Sequence, residues 1–516
     1  MLGHPRFVAP LAARRLAVEQ AVERLSALDS FFLDIEREDA PMHIGALCLF
    51  DEPQPGVCAR LTLQRLRAHV ESRLSAIPRY RQRLARVPLE GHPVWVDSTD
   101  FRIADHVRAV ALPCAGSPER LEETVSWIFS QPLSRSRPLW EIWLIEGLPG
   151  GGFALACKTH HCLCDGLGGA ALLTAILGTE PFTKAERPSV WRPRRPPSGF
   201  ELLRSAVDSR WHGVSTLTSR AASNWFETPG ALVSGASEML SMFRSLAEAA
   251  WSPPTTTAFD HPTGSGQRFL WWSVPLDDVK RVGRRLGGTV NEIALVLLSE
   301  AFAKTSAASL PGRSLRVYCP VGAMATAPST ATLGNCVSGM LVDLPVAALD
   351  LESRWHRVKA AARRSKDSGS VEGTFLLAGL ADMLGSSVLS RFESVMTAAP
   401  VFNLVLTNVP GPTFPLYLFG QRMTSVSPLV PLFHGQGLGV AIFSYNGRLT
   451  WGFHVDASQL DQARKLRSAL AAAVIQLARL ADAAVTASGP ERKKAMRPFV
   501  VGTPRREEPA SMAASQ

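Results

Sequence analysis

One seven-residue stretch, HHCLCDG at residues 160–166, joins two segments of different character. A short apolar run precedes it at 153–158, and a segment of leucine, alanine and glycine follows it at 167–178. The first pattern predicts a buried strand and the second predicts a helix. The stretch therefore lies where a strand ends and the chain turns into a helix, so its polar side chains project beyond a rigid element.

The two adjacent histidines of this stretch favour general-base chemistry. An imidazole with a pKa near ~6.5 can accept a proton at physiological pH. A correctly placed base accelerates a reaction roughly 10²–10⁴-fold. Asp165 follows four residues later, where a turn could fold it back to fix the loop or a histidine tautomer, and Gly166 permits a tight turn.

Three other interpretations of the same residues remain open at this point. The histidines and Asp165 could simply end a strand. They could bind a metal together with Cys162 and Cys164, although adjacent residues of a strand point to opposite faces and Cys-x-Cys is not a usual zinc spacing. Cys162 could be a thiol nucleophile beside His161. We predict no metal site.

The composition is that of a globular chain of two or three domains. The chain has 516 residues, of which 46% are hydrophobic and 19% are charged. This balance excludes a largely disordered protein, a collagen-like repeat and a small disulfide scaffold. The eight scattered cysteines are expected to be free thiols.

The charge is basic, with 55 lysines and arginines against 45 acidic residues and a formal net charge of +10. A basic surface favours phosphate-bearing cofactors, acidic lipid headgroups or nucleic acid. Nucleic acid is the weakest of the three, since only four tyrosines and no zinc-finger spacing are present. We find no apolar run of roughly 20 residues with few charges and no signal peptide, which predicts a cytoplasmic protein.

The order of apolar runs and breaks predicts an α/β protein of two lobes that meet at a cleft. The predicted units are an N-terminal extension, a first lobe, a linker with a helical crossover, a second lobe and a disordered tail. Their boundaries are residues 1–24, 25–182, 183–266, 267–487 and 488–516. Ligand sites favour the interface between such lobes.

Several segments together resemble one family. HHCLCDG matches the HHxxxDG motif of CoA-dependent acyltransferases, which peptide-synthetase condensation domains share. The other matching segments are LSALDSFFLDIE at 25–36, PMHIGALCLF at 41–50, PLWEIWLIEGL at 138–148, TVNEIALVLL at 289–298, LGNCVSGMLVDLP at 333–345 and TNVPGP at 407–412. In this order they resemble the bacterial wax ester synthase/diacylglycerol acyltransferase family over about residues 25–480.

The resemblance implies two chloramphenicol-acetyltransferase-like lobes with a tunnel at their interface. It implies that His161 is the general base, that His160 supports the loop and that Asp165 with Gly166 holds it. The substrates would be acyl-CoA and either diacylglycerol, which we rank first, or a long-chain alcohol. No further cofactor, no covalent intermediate and no nucleic-acid partner are expected. Peripheral attachment to the inner face of the plasma membrane or to lipid droplets would suit such substrates.

The resemblance also implies a role for Asn291, which matches the first position of the family's Asn-Asp motif. Glu292 departs from the second position. Asn291 could donate a hydrogen bond in the active site or merely cap a helix. Pro138, Leu139 and Trp140 match the PLW motif, as tunnel wall or as core.

Other matching and basic residues carry weaker expectations. Gly334, Asn335, Thr407 and Asn408 would shape turns or strand ends. The CoA phosphates would need arginines, from one of two clusters that could equally be solvated surface: Arg192, Arg194 and Arg195, or Arg281, Arg284 and Arg285.

Two rival functions stay open. One is a condensation-type acyltransferase that uses carrier-bound thioesters, although no carrier or adenylation domain adjoins the chain. The other is a non-catalytic lipid-binding protein. It stays open because Glu292 replaces the Asp of the family's Asn-Asp motif.

Overall fold

We analysed a computed structural model of the chain. The structure describes residues 23–52, 61–113, 116–182, 191–205, 254, 256–260, 264, 266–306, 314–322, 337–347, 349–367, 401–433 and 435–487.

The first lobe is built on a six-stranded sheet with the strand order β12-β13-β2-β7-β6-β5. β7 lies near its centre, antiparallel to both β2 and β6, and His43 of β2 faces His160 of β7 in the register. The apolar residues of β7 alternate between two buried clusters on opposite faces. The strands are β2 (His43–Phe50), β5 (Val107–Ala111), β6 (Trp140–Glu146), β7 (Phe153–His160), β12 (Tyr417–Leu418) and β13 (Gln421–Leu429).

The second lobe is built on another six-stranded sheet, with the order β10-β9-β11-β14-β15-β8. β11 lies inside this sheet and is parallel to both β9 and β14. The strands are β8 (Gln267–Pro275), β9 (Ser314–Gly322), β10 (Val337–Pro345), β11 (Leu404–Pro410), β14 (Leu438–Tyr445) and β15 (Arg448–Asp456). A third, small sheet has the order β1-β4-β3 and comprises β1 (Glu23–Arg24), β3 (Gln82–Arg86) and β4 (Pro93–Asp97).

Nine α-helices lie wholly within the residues that the structure describes. In the first lobe they are α1 (Ala27–Asp34), α2 (Leu63–Arg73), α3 (Ile103–His106), α4 (Pro118–Ser130) and α5 (Gly166–Ile176). In the second lobe they are α6 (Leu276–Leu286), α7 (Val290–Ser306), α8 (Leu351–Asp367) and α9 (Leu460–Ala487).

The second half of the chain contributes two strands, β12 and β13, to the first sheet. β12 and β13 come late in the sequence, yet β13 pairs with β2 of the first sheet from Met423↔Phe50 to Leu429↔Gly45. The chain then returns to the second sheet at β14. The boundary predicted at residue 267 therefore does not separate the two sheets, although the domain limits themselves stay predictions.

The lobes also contact each other at a second place, around α4. β8 of the second sheet packs against α4, where the N–H of Phe269 donates to Oγ of Ser126 over 2.9 Å. Nearby, Arg467 of α9 contacts Glu122 of α4 over 3.2 Å. These contacts hold the two sheets in a fixed relation at this end.

The predicted two-lobed α/β class is confirmed, whereas the tunnel between the lobes stays a prediction. β1 begins two residues before the predicted start of the first lobe at Leu25. The tail, nearly all of the extension and most of the crossover lie outside the described residues. Among the residues that are described, no single helix has the length and apolarity to cross a membrane. The pair formed by α6 and Val290–Thr305 passes that test jointly, but it is bent by 95°.

Candidate active site

His161 follows the last residue of β7 and is half-buried. Its backbone N–H donates to the carbonyl oxygen of Met42 over 2.8 Å, so the neighbouring strand segment fixes the main chain at this point. Its ring stacks on Phe32 of α1, with 3.8 Å between the ring centroids and 10° between the planes. The imidazole is thus held in one orientation while part of it stays accessible.

His160 has a different environment, because its side chain is fully buried. Its Nδ1 accepts the N–H of Cys162 over 3.1 Å, which closes the loop behind it. On the other side of the ring, Nε2 lies 3.2 Å from Oε1 of Glu36. His160 therefore contacts the loop through Nδ1 and Glu36 through Nε2, and it is too enclosed to meet a substrate. Its role in supporting the loop stays a prediction.

Glu36 links the surroundings of both histidines. Besides His160, it accepts the backbone N–H of Met42 over 3.2 Å, and Met42 is the residue that holds His161. Its Oε2 accepts from Nη2 of Arg135 over 2.8 Å. Burial would raise the pKa of Glu36, but the hydrogen bonds of His160 and Arg135 and the charges of His160 and His43 together lower it to about 2. Glu36 is therefore an anion at neutral pH.

Asp165 caps the helix that follows the loop. Its carboxylate accepts the N–H of Gly168 over 2.9 Å at the N-terminus of α5, and the residue is buried. A carboxylate at this end satisfies an unpaired donor and complements the helix dipole. The cap gives Asp165 a contact through which it could hold the loop, and that role stays a prediction.

Gly166 lies where the two lobes meet. A Cβ atom at this position would lie 2.7 Å from Cγ2 of Val409, which is closer than such atoms approach. Val409 belongs to β11 of the second sheet. The close approach of the second lobe therefore favours glycine at this position, in addition to the turn that we expected.

Asn291 lies on the second-lobe side of this contact. It is exposed near the start of α7, and its Oδ1 accepts from Nδ2 of Asn408 over 2.8 Å. Asn408 precedes Val409, the residue that touches Gly166. The lobe contact thus brings the 160–166 loop close to the strand that carries the partner of Asn291.

Glu292 caps α7 together with Thr289. The carboxylate of Glu292 accepts the Thr289 N–H over 2.7 Å and its hydroxyl over 3.0 Å. The hydroxyl of Thr289 in turn accepts the N–H of Glu292 over 3.2 Å. This reciprocal pair is a capping box. The alternative that Asn291 caps the helix is wrong, because Thr289 does so.

The two cysteines of the loop are unsuited to nucleophilic chemistry. Cys162 and Cys164 are both fully buried, and burial raises the pKa of each thiol well above its ordinary value. The reactive thiolate is therefore disfavoured at neutral pH. Within the described part of the chain, no group of three or more potential metal ligands occurs, and five cysteines are free thiols.

Two family models match the chain in succession. The model of the wax ester synthase/diacylglycerol acyltransferase catalytic domain matches residues 25–294, and the model of the C-terminal domain of the same family matches residues 333–478. The chain belongs to this family. The resemblance read from HHCLCDG and the accompanying segments is thereby confirmed.

Proteins of mycobacteria are similar over most of their length. A provisionally named diacylglycerol O-acyltransferase of Mycobacterium tuberculosis is 31% identical over 443 residues, which cover 84% of this chain and 85% of that protein. A second from the same organism, also provisionally named a diacylglycerol O-acyltransferase, is 29% identical over 470 residues and covers 88% and 96%.

Solved structures support the fold. The wax ester synthase/diacylglycerol acyltransferase of Marinobacter aquaeolei superposes with a TM-score of 0.61 at 23% identity, over 89% of this chain and 100% of that one. The starter condensation domain of rhizomide synthetase, solved with C8-CoA and Leu-SNAC, gives 0.57 at 13% identity over 90% and 96%. Members of this family and condensation domains therefore share the two-lobed architecture.

The residues of the remaining family motifs lie partly in the core, partly in β11 and partly outside the described residues. Leu139 and Trp140 of the PLW motif are buried in the first lobe, and Trp140 donates its indole N–H to the Tyr80 carbonyl over 2.8 Å. This is core packing, with a direct link to the site because the N–H of His160 donates to Leu139 O over 3.0 Å. Thr407 and Asn408 lie within β11, whereas Gly334 and Asn335 lie outside the described residues.

The two arginine clusters are partly neutralised. Arg194 contacts Asp97 over 3.4 Å, and Arg281 contacts Asp278 over 2.6 Å. Arg285 pairs with Asp482. These pairs weaken the case for either cluster as a whole holding the CoA phosphates.

The contacts of four site residues escaped prediction from sequence, namely Phe32, Glu36, Asn408 and Val409. Asn408 was expected only to shape a turn or strand end. All four lie in segments that carried the family resemblance, LSALDSFFLDIE and TNVPGP. Their location in these segments was the available signal, but only tertiary contacts assign them roles beside the loop.

Proposed function

We propose that this protein transfers a long acyl chain from CoA to the hydroxyl of diacylglycerol or of a long-chain alcohol, with His161 as the general base. One observation carries the proposal. His161 is oriented by Phe32, partly accessible, and five residues from the glycine at which the second lobe meets the first.

The reaction needs only groups that this chain supplies. His161 removes the proton of the acceptor hydroxyl as its oxygen attacks the thioester carbonyl. The C–O bond forms, the C–S bond breaks, and the imidazolium returns the proton to the CoA sulfur. No acyl-enzyme is required, which is consistent with the buried state of Cys162 and Cys164.

Diacylglycerol is the acceptor that we place first. The mycobacterial relatives are provisionally named for this activity. A bound acyl chain would be stabilised by about 0.8 kcal/mol for each CH₂ group removed from water. No cofactor beyond the CoA substrate is invoked.

We also propose that the protein works at the cytoplasmic face of the plasma membrane or at a lipid droplet. The acceptors dissolve in lipid, and the chain carries a net charge of +10. Basic residues near an anionic lipid surface contribute roughly 1 kcal/mol each.

A thiol-release assay tests the proposed activity. Purified protein is mixed with palmitoyl-CoA and with dioleoylglycerol, hexadecanol or no acceptor, and free CoA is measured. We expect release that depends on an acceptor and is faster with dioleoylglycerol. A parallel assay replaces palmitoyl-CoA with a carrier-bound palmitoyl thioester and measures the freed carrier thiol. Thiol release with that donor alone would favour the condensation-type reaction, and no release with either donor by a folded protein would favour a lipid-binding role.

A further inference from the structure

The outer face of α8 is basic along its length. Five of its residues carry no contact with an acidic side chain among the residues that the structure describes, and all five are exposed: His356, Arg357, Arg363, Arg364 and Lys366. Glu352, at the opposite end of the helix, is the one exposed acidic residue within residues 351–366.

The inner face of α8 is firmly anchored. Arg354 is 1% exposed, and its guanidinium donates to Glu300 over 2.7 Å and to Ser299 over 3.0 Å, both on α7. It also donates to two backbone carbonyls that precede the helix. Trp355 and Val358 are buried beside it. The helix is therefore a rigid support, and its outward charges have a fixed spacing.

The basic face continues onto the end of α6. Lys359 of α8 donates to the carbonyl of Gly287, directly after α6, and Arg284 in the last turn of α6 is exposed. Arg284 has no ionic partner within the described ranges. α7 begins three residues after Gly287, so this edge of the basic face borders the helix end that carries Asn291.

Helix stability alone does not account for this distribution. The helix dipole favours cations in the last turn, which explains Arg364 and Lys366. It does not explain Arg357, which lies in the middle of the helix. The charges from Arg357 to Lys366 extend about 14 Å along a helix axis. Such an array on the outside of a helix suits a broad anionic surface better than one small ligand.

We propose that the outer face of α8, together with Arg284, docks the enzyme on an anionic lipid surface. This inference deepens the proposed function, because the lipid surface would lie beside the start of α7 and Asn291. The acceptor alcohol could then reach the site from the lipid phase.

Vesicle flotation of the full chain tests the docking surface. The vesicles contain phosphatidylcholine alone or with about one-third phosphatidylglycerol. We expect binding only to the anionic vesicles, with a strong decrease as salt rises from about 0.1 M to about 0.5 M. The variant R357E/R363E/R364E/K366E should reduce the partition coefficient for anionic vesicles about ten-fold or more.

A matched control separates this surface from net charge. The variant R192E/R195E/R464E/K465E changes the charge by the same amount at exposed residues of other segments, namely the stretch at 191–205 and the start of α9. We expect it to bind within about three-fold of wild type, since its charges are outside the docking surface. Equal loss in both variants, or no loss in the α8 variant, would overturn the proposal.

Activity on detergent-dispersed substrates keeps this test independent of the proposed function. The α8 variant should release CoA at the wild-type rate in detergent and lose activity only on vesicle-borne dioleoylglycerol. A raised KM for palmitoyl-CoA in detergent, with vesicle binding intact, would instead assign this face to the CoA phosphates. Vesicle binding by a wild-type protein that never releases CoA would contradict the proposed activity but not the docking surface.

Discussion

At the scale of single residues, the two histidines of the 160–166 loop have separate tasks. His160 is buried between Glu36 and the N–H of Cys162, whereas the half-buried His161 rests on Phe32. Adjacent positions at a strand end thus produce one supporting and one accessible imidazole. This division makes His161 the only one of the pair placed to meet a substrate.

Replacing His161 by alanine should abolish turnover with little effect on folding. Loss of a positioned base removes roughly 10²–10⁴-fold of the rate. The side chain lies at the surface of the site, so the melting temperature should stay close to that of wild type. CoA release and thermal unfolding measure the two effects. Activity above about a tenth of wild type would refute the assignment of the base.

Replacing Glu36 by glutamine should make stability less dependent on pH. The pKa of Glu36 is lowered to about 2 in the folded protein, so the charged carboxylate stabilises the fold above its unfolded pKa near ~4.5. That contribution is lost as pH falls from about 4.5 towards about 2. Urea unfolding of both proteins at several pH values measures it. A difference in unfolding free energy that stays constant below pH ~4.5 would contradict this origin.

At the scale of elements, the start of α5 determines where the 160–166 loop lies. Asp165 caps the helix from one side, and Gly166 lets β11 approach from the other. The cap and the contact are one residue apart. The N-terminus of α5 is thus capped within the first lobe and contacts β11 of the second lobe.

Removal of the cap should reduce both stability and rate. Asp165→Ala leaves the Gly168 N–H without its acceptor, at a cost of about 1 kcal/mol. Asp165→Asn is the matched control, since asparagine caps helices about as well. Chemical denaturation and CoA release should rank the alanine variant lowest. An alanine variant with normal stability would count against the structural role of Asp165.

A methyl group at Gly166 should push the lobes apart at the site. Gly166→Ala places a Cβ atom 2.7 Å from Cγ2 of Val409 and should lower CoA release. Val409→Ala removes that methyl group, so the double variant should recover part of the lost rate. A double-variant cycle in CoA release measures this coupling. Strictly additive effects would show that the two side chains do not interact.

At the scale of the whole molecule, β13 links the lobes, because it comes from the second half of the chain and pairs within the first sheet. β13 lies between β12 and β2 in the first sheet, and Met42, directly before β2, accepts the backbone N–H of His161. The first sheet therefore depends on residues more than 370 positions away in the chain, as the Thr424 contact with Leu49 illustrates.

The first half of the chain should not fold stably alone. A fragment of residues 1–266 lacks β13, which leaves the backbone of β2 unpaired on one side and apolar residues of its cluster uncovered. We expect it to aggregate, and co-expression with residues 267–516 should restore soluble protein. Size-exclusion chromatography and circular dichroism measure this. A monomeric, cooperatively folded fragment would show that the first lobe folds without β13.

Local patterns predicted most of the elements that carry the site. The apolar run at 153–158 and the small residues after Gly166 indicated the strand, the loop and the helix. β13 escaped prediction, because its sequence QRMTSVSPL lacks a regular apolar alternation and contains a proline. Its place in the first sheet is a property of long-range pairing.

The sequence by itself determined the family, the α/β class and the loop on which the chemistry depends, since these follow from motifs and from periodicity along the chain. Only the tertiary structure decided that Glu36 contacts His160 and Met42, that Val409 packs against Gly166 and that Thr289 with Glu292 caps α7. The physical reason is that such contacts depend on how strands and helices pack across the lobes. Local propensity does not encode the distance between residues that are far apart in the chain.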